Sequence, residues 1–229
     1  MIYALIGGKS KDSKLNIIEK YIFSLTKKEK PNILFSPIAS KEIEKSINNF
    51  KELIKDIDCN LKTFTENDIK DFDDLLNWAD VLYVGGGNSN YLVDVFKNNN
   101  LDKILIKYLS SNKIYAGSSA GAMLYTYYSM GDKDMFSDNF HNYNYKMVEC
   151  LNLINISICP HYQNEDLIIY NDEIKKYNVK SFGIEEDTCL IYDNDKFYVI
   201  KDKNNMSLYY FDNNKNYLMI PLRKGEIYE

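Results

Sequence analysis

The first half of the chain alternates short apolar runs with longer segments in which apolar residues recur at helical spacing. The apolar runs are "IYALI" at 2–6, "NILFSPI" at 32–38, "LKTF" at 61–64, "DVLYVGGG" at 80–87 and "IYAG" at 114–117. Helical spacing covers residues 13–29, 41–57 and 66–79. Buried strands that alternate with amphipathic helices predict an α/β fold, with a mostly parallel sheet and helices on both faces.

The pattern changes after about residue 185, where short strand-like runs follow one another closely. Asn/Asp pairs separate these runs at 194–195, 204–205 and 213–214. Asn and Asp tolerate the left-handed backbone of tight hairpins, so we expect a C-terminal antiparallel meander. No linker rich in Pro, Gly or Ser divides the two parts, and we therefore expect a single domain over residues 1–229.

Composition narrows the classes of function. Hydrophobic residues make up 45% of the chain and the net charge is −5, so no basic excess favours nucleic acid or an anionic membrane as a partner. The first residues, "MIYALIGGKSKD", lack a charged leader, and no run approaches the roughly 18 apolar residues of a membrane span. Four irregularly spaced cysteines without a C-x-x-C pair are typical of reduced thiols, which predicts a cytoplasmic protein.

Five consecutive small residues, "GSSAG" at 117–121, fit the pattern G-x-S-x-G with Ser119 at its centre. An apolar run precedes it and a helical pattern follows, as in a nucleophile elbow, where a sharp turn exposes the serine hydroxyl. The neighbours of such a serine must be small to avoid collision across the turn. We also expect the following helix to add partial positive charge where an oxyanion forms. The alternative is a tightly packed helix start without chemistry.

Three glycines at 85–87, in the segment "VGGGNSNYL" at 84–92, directly follow a buried apolar run. They do not form a dinucleotide fingerprint, because G-x-G-x-x-G would need glycine where Asn90 stands. Likewise "GGKS" at 7–10 is not a phosphate loop, because Tyr3 occupies the position of its first glycine. The loop at 85–87 can instead offer bare N–H groups at the carboxyl end of a strand, where ligands of open α/β sheets bind. A purely structural turn is the alternative.

Histidine is scarce, with only His141 and His161. His161, in "ISICPHYQNED", follows an apolar run and is therefore expected at a strand end, whereas His141 lies in the polar segment "SDNFHNYNY" and suits a surface or substrate loop. A serine–histidine pair also needs a carboxylate to orient the ring. The run "SFGIEEDTCLIYD" offers Glu185, Glu186 and Asp187, and the residues alone do not choose among them.

The segments "VGGGNSNYL", "GSSAGA", "PHY" and "GIEEDTCL", in this order, resemble the aspartyl dipeptidase family (dipeptidase E, or peptidase E) and its relatives, the cyanophycinases included. The resemblance implies a fold like that of class I glutamine amidotransferases and a serine peptidase of small peptides, such as dipeptides with N-terminal aspartate. It assigns the nucleophile to Ser119, the base to His161 and the acid to Glu186. Glu185 and Asp187 are then expected to be dispensable.

The resemblance carries further expectations. It implies an oxyanion hole formed by the N–H groups of Gly87 and Ala120, and a supporting or substrate-binding role for Asp134. A serine mechanism needs no metal and no organic cofactor, so none is expected. The expected partner is a small peptide substrate, with neither nucleic acid nor membrane, and the expected state is a monomer or homodimer. An amidotransferase itself is disfavoured, because Ser119 occupies the elbow and no cysteine lies in G-x-C-x-G. Ser118 and a long loop at 129–155 depart from the dipeptidase pattern.

Two alternatives stand beside this interpretation. One is an amide or isopeptide hydrolase with a different acidic substrate, as in the cyanophycinases. The other is a binding protein that keeps the fold without turnover. An intact serine, histidine and glutamate set argues against the second alternative, because a binding protein needs no such set.

Overall fold

The computed structural model describes residues 1–10, 13, 15–132, 145–162, 168–203, 206–212 and 218–228. The strands are β1 (Ile2–Ile6), β2 (Asn32–Ser36), β3 (Asn60–Thr63), β4 (Val81–Val84), β5 (Ile114–Ser118), β6 (Tyr128–Asp132), β7 (Tyr145–Glu149), β8 (Ile156–Pro160), β9 (Lys180–Ile184), β10 (Thr188–Asp193), β11 (Lys196–Lys201), β12 (Leu208–Asp212), β13 (Leu218–Leu222) and β14 (Ile227–Tyr228). The α-helices are α1 (Ile17–Ser24), α2 (Ile43–Leu53), α3 (Phe72–Trp78), α4 (Ser89–Asn98), α5 (Leu101–Lys107), α6 (Ala120–Met123) and α7 (Ile168–Glu173).

The main sheet has the strand order β14-β11-β10-β1-β5-β4-β2-β3. The five strands from β1 to β3 in this order pair in parallel, while β10, β11 and β14 continue the sheet antiparallel. Apolar cores cover both faces, with Leu5 and Leu34 on one side and Ile6 and Ile33 on the other. The predicted α/β fold with a mostly parallel sheet is confirmed.

The C-terminal strands are antiparallel, as predicted, but they are divided between two sheets. Strands β10 and β11 belong to the main sheet. The turn that connects them contains Asn194 and Asp195, both of which have positive φ. Strands β12 and β13 instead belong to a second sheet of order β13-β12-β9-β8. The other two Asn/Asp pairs lie outside the described residues. Because β9 runs into β10 through residues 185–187, the chain crosses between the two sheets at that turn.

Several element boundaries differ from the sequence prediction. The first predicted helix shrinks to α1, and the segment 66–79 begins as a 3₁₀ helix, Glu66–Asp71, before α3. The predicted loop at 129–155 contains the antiparallel pair β6 and β7. None of the helices in the described part of the chain is both long and apolar enough to cross a membrane.

Candidate functional site

Ser119 directly follows β5 and adopts a backbone conformation that is rare for residues with a side chain. Its φ is 54° and its ψ is −117°, and strained conformations of this kind cluster at functional sites. The Ser119 N–H donates to the carbonyl of Ile6 on the neighbouring strand at 2.9 Å. The turn is therefore fixed against the centre of the main sheet.

The small neighbours of Ser119 have a direct steric cause. A Cβ atom on Gly117 would lie 2.2 Å from the carbonyl oxygen of Gly121, and one on Gly121 would lie 2.0 Å from that of Val84. The elbow therefore tolerates only glycine at both positions. The helix that follows is shorter than predicted, with four residues, so individual N–H groups rather than a helix dipole must supply positive charge here.

His161 follows β8 and also has positive φ, at 53°. Its N–H donates to the carbonyl of Gly7 at 3.0 Å, which ties the end of the second sheet to the end of β1. The ring lies against Gly8, where an added Cβ would be 2.3 Å from Cε1 of His161. The motif that contains these two glycines, "GGKS", is not a phosphate loop, and here the glycines instead border the His161 ring. The signal for this role is the pair of adjacent glycines at the carboxyl end of the first strand, where ligands and side chains of the site gather.

The His161 ring connects Ser119 to Glu186. Its Nε2 lies 2.9 Å from Ser119 Oγ, and its Nδ1 lies 3.0 Å from Glu186 Oε1. Because an ionised carboxylate can only accept, Nδ1 of the neutral ring carries the proton and Nε2 accepts the serine O–H. The His161 side chain is 40% exposed and that of Glu186 27% exposed, so the pair is partly open to solvent.

The other two acids of the run face elsewhere. Glu185 Oε2 accepts the N–H of Ser207 at 2.6 Å, beside β12. Asp187 is fully buried, and its carboxylate accepts hydrogen bonds from Ser10. Burial alone would raise the pKa of Asp187, but the hydrogen bonds from Ser10 and Lys203 lower it below its usual value. Of the three candidates, Glu186 is the one that contacts the ring.

The glycine loop lies beside the elbow. A Cβ on Gly86 would approach the Ser119 Cβ to 3.2 Å, and Gly87 has a φ of 149° with Ala39 packed against its Cα. Within the described residues, no backbone carbonyl accepts the N–H of Gly87 or of Ala120. The described backbone therefore leaves both N–H groups without a carbonyl partner.

Two residues considered in the sequence, Asp134 and His141, lie outside the described residues. Within the part of the chain that is described, no group of three or more His, Cys, Asp and Glu side chains is arranged to hold a metal ion. The cysteines are unpaired, and Cys150, Cys159 and Cys189 are buried. Burial raises the pKa of the Cys150 thiol to about 12, which leaves it a poor nucleophile.

Curated relatives are peptidases whose roles are undefined. The chain is 30% identical over 164 residues to the uncharacterized peptidase YgaJ of Bacillus subtilis. This matched region covers 69% of this chain and 66% of that protein. It is 29% identical over 125 residues to the uncharacterized peptidase Lmo0363 of Listeria monocytogenes, covering 53% and 56%. The matched regions thus span less than two thirds of these relatives' own lengths.

Solved structures match over nearly their full length. The crystal structure of a peptidase from an acI-B1 actinobacterium has a TM-score of 0.74 at 20% identity, and covers 100% of this chain and 96% of that one. A protein assigned provisionally to peptidase E, from Listeria monocytogenes EGD-e, has a TM-score of 0.65 at 18% identity, covering 87% and 98%. These likenesses support the fold. The sequence profile of peptidase family S51 matches residues 3–200, and the chain therefore belongs to that family.

Proposed function

We propose that this protein is a serine peptidase that hydrolyses small peptides with Ser119, His161 and Glu186 as its catalytic residues. The observation that carries the proposal is the continuous hydrogen-bonded path from Glu186 through His161 to a serine in a strained elbow. Membership of a peptidase family supports the same class of reaction.

The geometry suits an acyl-enzyme mechanism. His161 Nε2 takes the hydroxyl proton of Ser119 as Oγ attacks the scissile carbonyl carbon, and Glu186 stabilises the imidazolium that forms. The N–H groups of Gly87 and Ala120 donate to the tetrahedral oxyanion. The imidazolium then gives its proton to the leaving amine. Water then attacks the acyl-enzyme while His161 takes its proton, and His161 returns that proton to Ser119 Oγ as the ester bond breaks and the acid product leaves.

Dipeptides with N-terminal aspartate are the proposed substrates, and the basis is the resemblance of the four motifs. A panel of Asp-X dipeptides, isoaspartyl dipeptides and neutral X-Y dipeptides tests this choice. Preferred hydrolysis of the isoaspartyl members would favour the cyanophycinase-like alternative.

Covalent labelling tests the reaction class independently of the substrate. A fluorophosphonate should modify Ser119, as located by mass spectrometry of the digested protein, and Ser119→Ala should abolish the modification. Folded protein that takes up no label would favour the silent binding protein of the same fold.

A further inference from the structure

Asp187, the residue after Glu186, has an unusually complete set of partners. It has a φ of 55° and is fully buried. Its carboxylate accepts the Ser10 N–H at 3.3 Å and the Ser10 hydroxyl at 2.5 Å, and lies 3.0 Å from the Lys203 ammonium. The Lys203 ammonium also donates to Ser10 Oγ at 2.8 Å. A charged group without solvent exposure requires such partners.

The main chain of Asp187 is fixed as well. Its N–H donates to the carbonyl of Gly8 at 2.9 Å, and its own carbonyl accepts the N–H of Asp202 at 2.9 Å. The residue therefore joins three separate segments of the chain, at 8–10, 186–187 and 202–203.

A second charged group fastens the same segments from the side of α1. The Lys9 ammonium contacts Asp202 and lies 3.1 Å from Glu19 Oε2, while Asp202 Oδ1 accepts the N–H of Ile18 at 3.0 Å. Lys9 stands between Gly8 and Ser10, so both ends of this short segment are anchored. The segment is thus anchored by charged side chains on both sides.

The segment that Asp187 fastens is the surface on which the His161 ring lies. Gly8 faces the ring and the Gly7 carbonyl accepts the His161 N–H. On its other side Asp187 is bonded in sequence to Glu186. One buried carboxylate thus links the support of the histidine to the backbone of its acid partner.

We propose that Asp187 is a positioning residue, which holds Glu186 and the Gly8 surface in register so that the His161–Glu186 hydrogen bond keeps its geometry. This inference rests on the proposed function and deepens it. It revises the expectation from the sequence that Asp187 is dispensable. Displacing reacting groups by about 1 Å is enough to cost roughly 100-fold in rate.

Asp187→Asn is the direct test, since it keeps the shape and removes one acceptor. The carboxylate accepts three donors, whereas an amide would turn an NH₂ group toward Ser10 or Lys203. Glu185→Gln is the matched control, an acid of the same turn that is neutralised without touching the 8–10 segment. Ser10→Ala is the second variant, because it keeps every charge and removes the hydroxyl between Asp187 and Lys203.

Three measurements are made on each variant: kcat and KM with a dipeptide, the rate of fluorophosphonate labelling, and ¹⁵N–¹H spectra of the histidine rings. The chain has two histidines, so His161→Gln assigns the Nδ1–H signal of His161. In Asp187→Asn we expect kcat and labelling to fall roughly 10- to 100-fold, with KM within about threefold and a weakened Nδ1–H signal. Glu185→Gln should stay within about threefold throughout, and Ser10→Ala should lie between.

The outcomes separate the two proposals. Wild-type kcat and an unchanged Nδ1–H signal in Asp187→Asn would overturn the positioning role and leave the proposed function standing. Equal losses in Glu185→Gln would also overturn it, because a general effect of charge would then suffice. If Asp187→Asn does not fold, wild-type values in folded Ser10→Ala overturn it. Absence of labelling in the wild type would instead refute the proposed function, while the Nδ1–H signal still tests the positioning.

Discussion

Ser119 and His161 adopt nearly the same unusual φ, 54° and 53°, but the fold imposes it in different ways. Around Ser119 the constraint comes from close main-chain packing, with Gly117 against Gly121 in the same turn and Gly121 against Val84 on the adjacent strand. Around His161 it comes from residues far away in sequence, the carbonyl of Gly7 and the bare Cα of Gly8. The first half, called local here, depends mostly on residues within two positions of Ser119 and on the strand beside them, whereas the second half is assembled entirely by contacts distant in sequence.

This difference decides how each half fails. In the local half, an added methyl group meets main-chain carbonyl oxygens, of Gly121 in the short helix or of Val84 in the sheet, which cannot move without distorting the backbone. In the assembled half, it meets the ring of His161, which can move away from its partners. We therefore expect damage to the first half to appear mainly in stability and damage to the second mainly in rate.

The largest effect is expected from removing the nucleophile. Ser119→Ala should lower kcat by roughly 10⁴- to 10⁶-fold, because no acyl-enzyme can form. Ser118→Ala, one residue earlier in the same turn, should keep most of the activity. Steady-state assays on both purified variants, with circular dichroism to confirm folding, give the answer. Comparable losses of activity in both variants would show that Ser119 is not the nucleophile at the centre of the elbow.

The local half was open to prediction from the sequence for a physical reason. The elbow needs small residues within two positions of Ser119, so its steric requirement is written in consecutive letters. The parallel strands can likewise be predicted from their apolar runs, because core residues cover both faces of β1, β4 and β5. The motif resemblance then supplied Glu186, which neither spacing nor composition could distinguish from its neighbours.

The assembled half could not be predicted in the same way. The two glycines of "GGKS" mark the carboxyl end of β1, but the sequence does not identify the distant ring that Gly8 supports, or Ser10 as the bridge between Asp187 and Lys203. The division of the C-terminal strands between two sheets was missed for the same reason. Strand pairing depends on where the chain crosses at residues 185–187, and a hairpin pattern carries no information about that crossing.

Removing the base should be about as damaging as removing the nucleophile. His161→Ala should reduce kcat by a factor similar to Ser119→Ala, and the double variant should be little worse, because the catalytic residues act as a unit. His141→Ala is the control and should be mild. A strictly multiplicative loss in the double variant would mean that the two side chains act in separate steps.

Neutralising the acid should have a smaller effect. Glu186→Gln keeps the size but removes the charge that stabilises the imidazolium, so kcat should fall by roughly 10²- to 10⁴-fold with folding intact. Glu185→Gln serves as the control within the same turn. If Glu185→Gln loses as much activity as Glu186→Gln, the contact of Glu186 with the ring has no special importance.

Adding one methyl group to each half tests the contrast directly. Gly8→Ala places a Cβ against the His161 ring, and displacing the ring should reduce kcat by roughly 100-fold. Because a φ of 142° strains any residue with a side chain, this variant should also lose some stability. Gly121→Ala places a Cβ 2.0 Å from the Val84 carbonyl oxygen, and the overpacking should cost about 1–3 kcal/mol of stability or more. Activity and urea unfolding are measured on both. The comparison fails if Gly8→Ala is the less stable and the more active of the two.

The smallest effect concerns the dependence of stability on pH, which Asp187 should influence from within the assembled half. Its pKa in the folded protein is lowered, because the hydrogen bonds from Ser10 and Lys203 outweigh the opposing effect of burial. A carboxyl group with a depressed folded pKa stabilises the protein above its unfolded pKa of about 3.9, and this contribution disappears as the pH falls through the folded value. Asp187→Asn should therefore lower the free energy of unfolding at pH 7 by about 1–3 kcal/mol, and the difference from wild type should shrink below about pH 4.

The exposed pair of Asp73 and Lys107 offers the control, since Lys107 also lowers the pKa of Asp73 but water screens the pair. Urea unfolding of wild type, Asp187→Asn and Asp73→Asn at several pH values between 3 and 7 measures all three. A difference between wild type and Asp187→Asn that stays constant over this range would show that the carboxyl charge of Asp187 contributes nothing to folding.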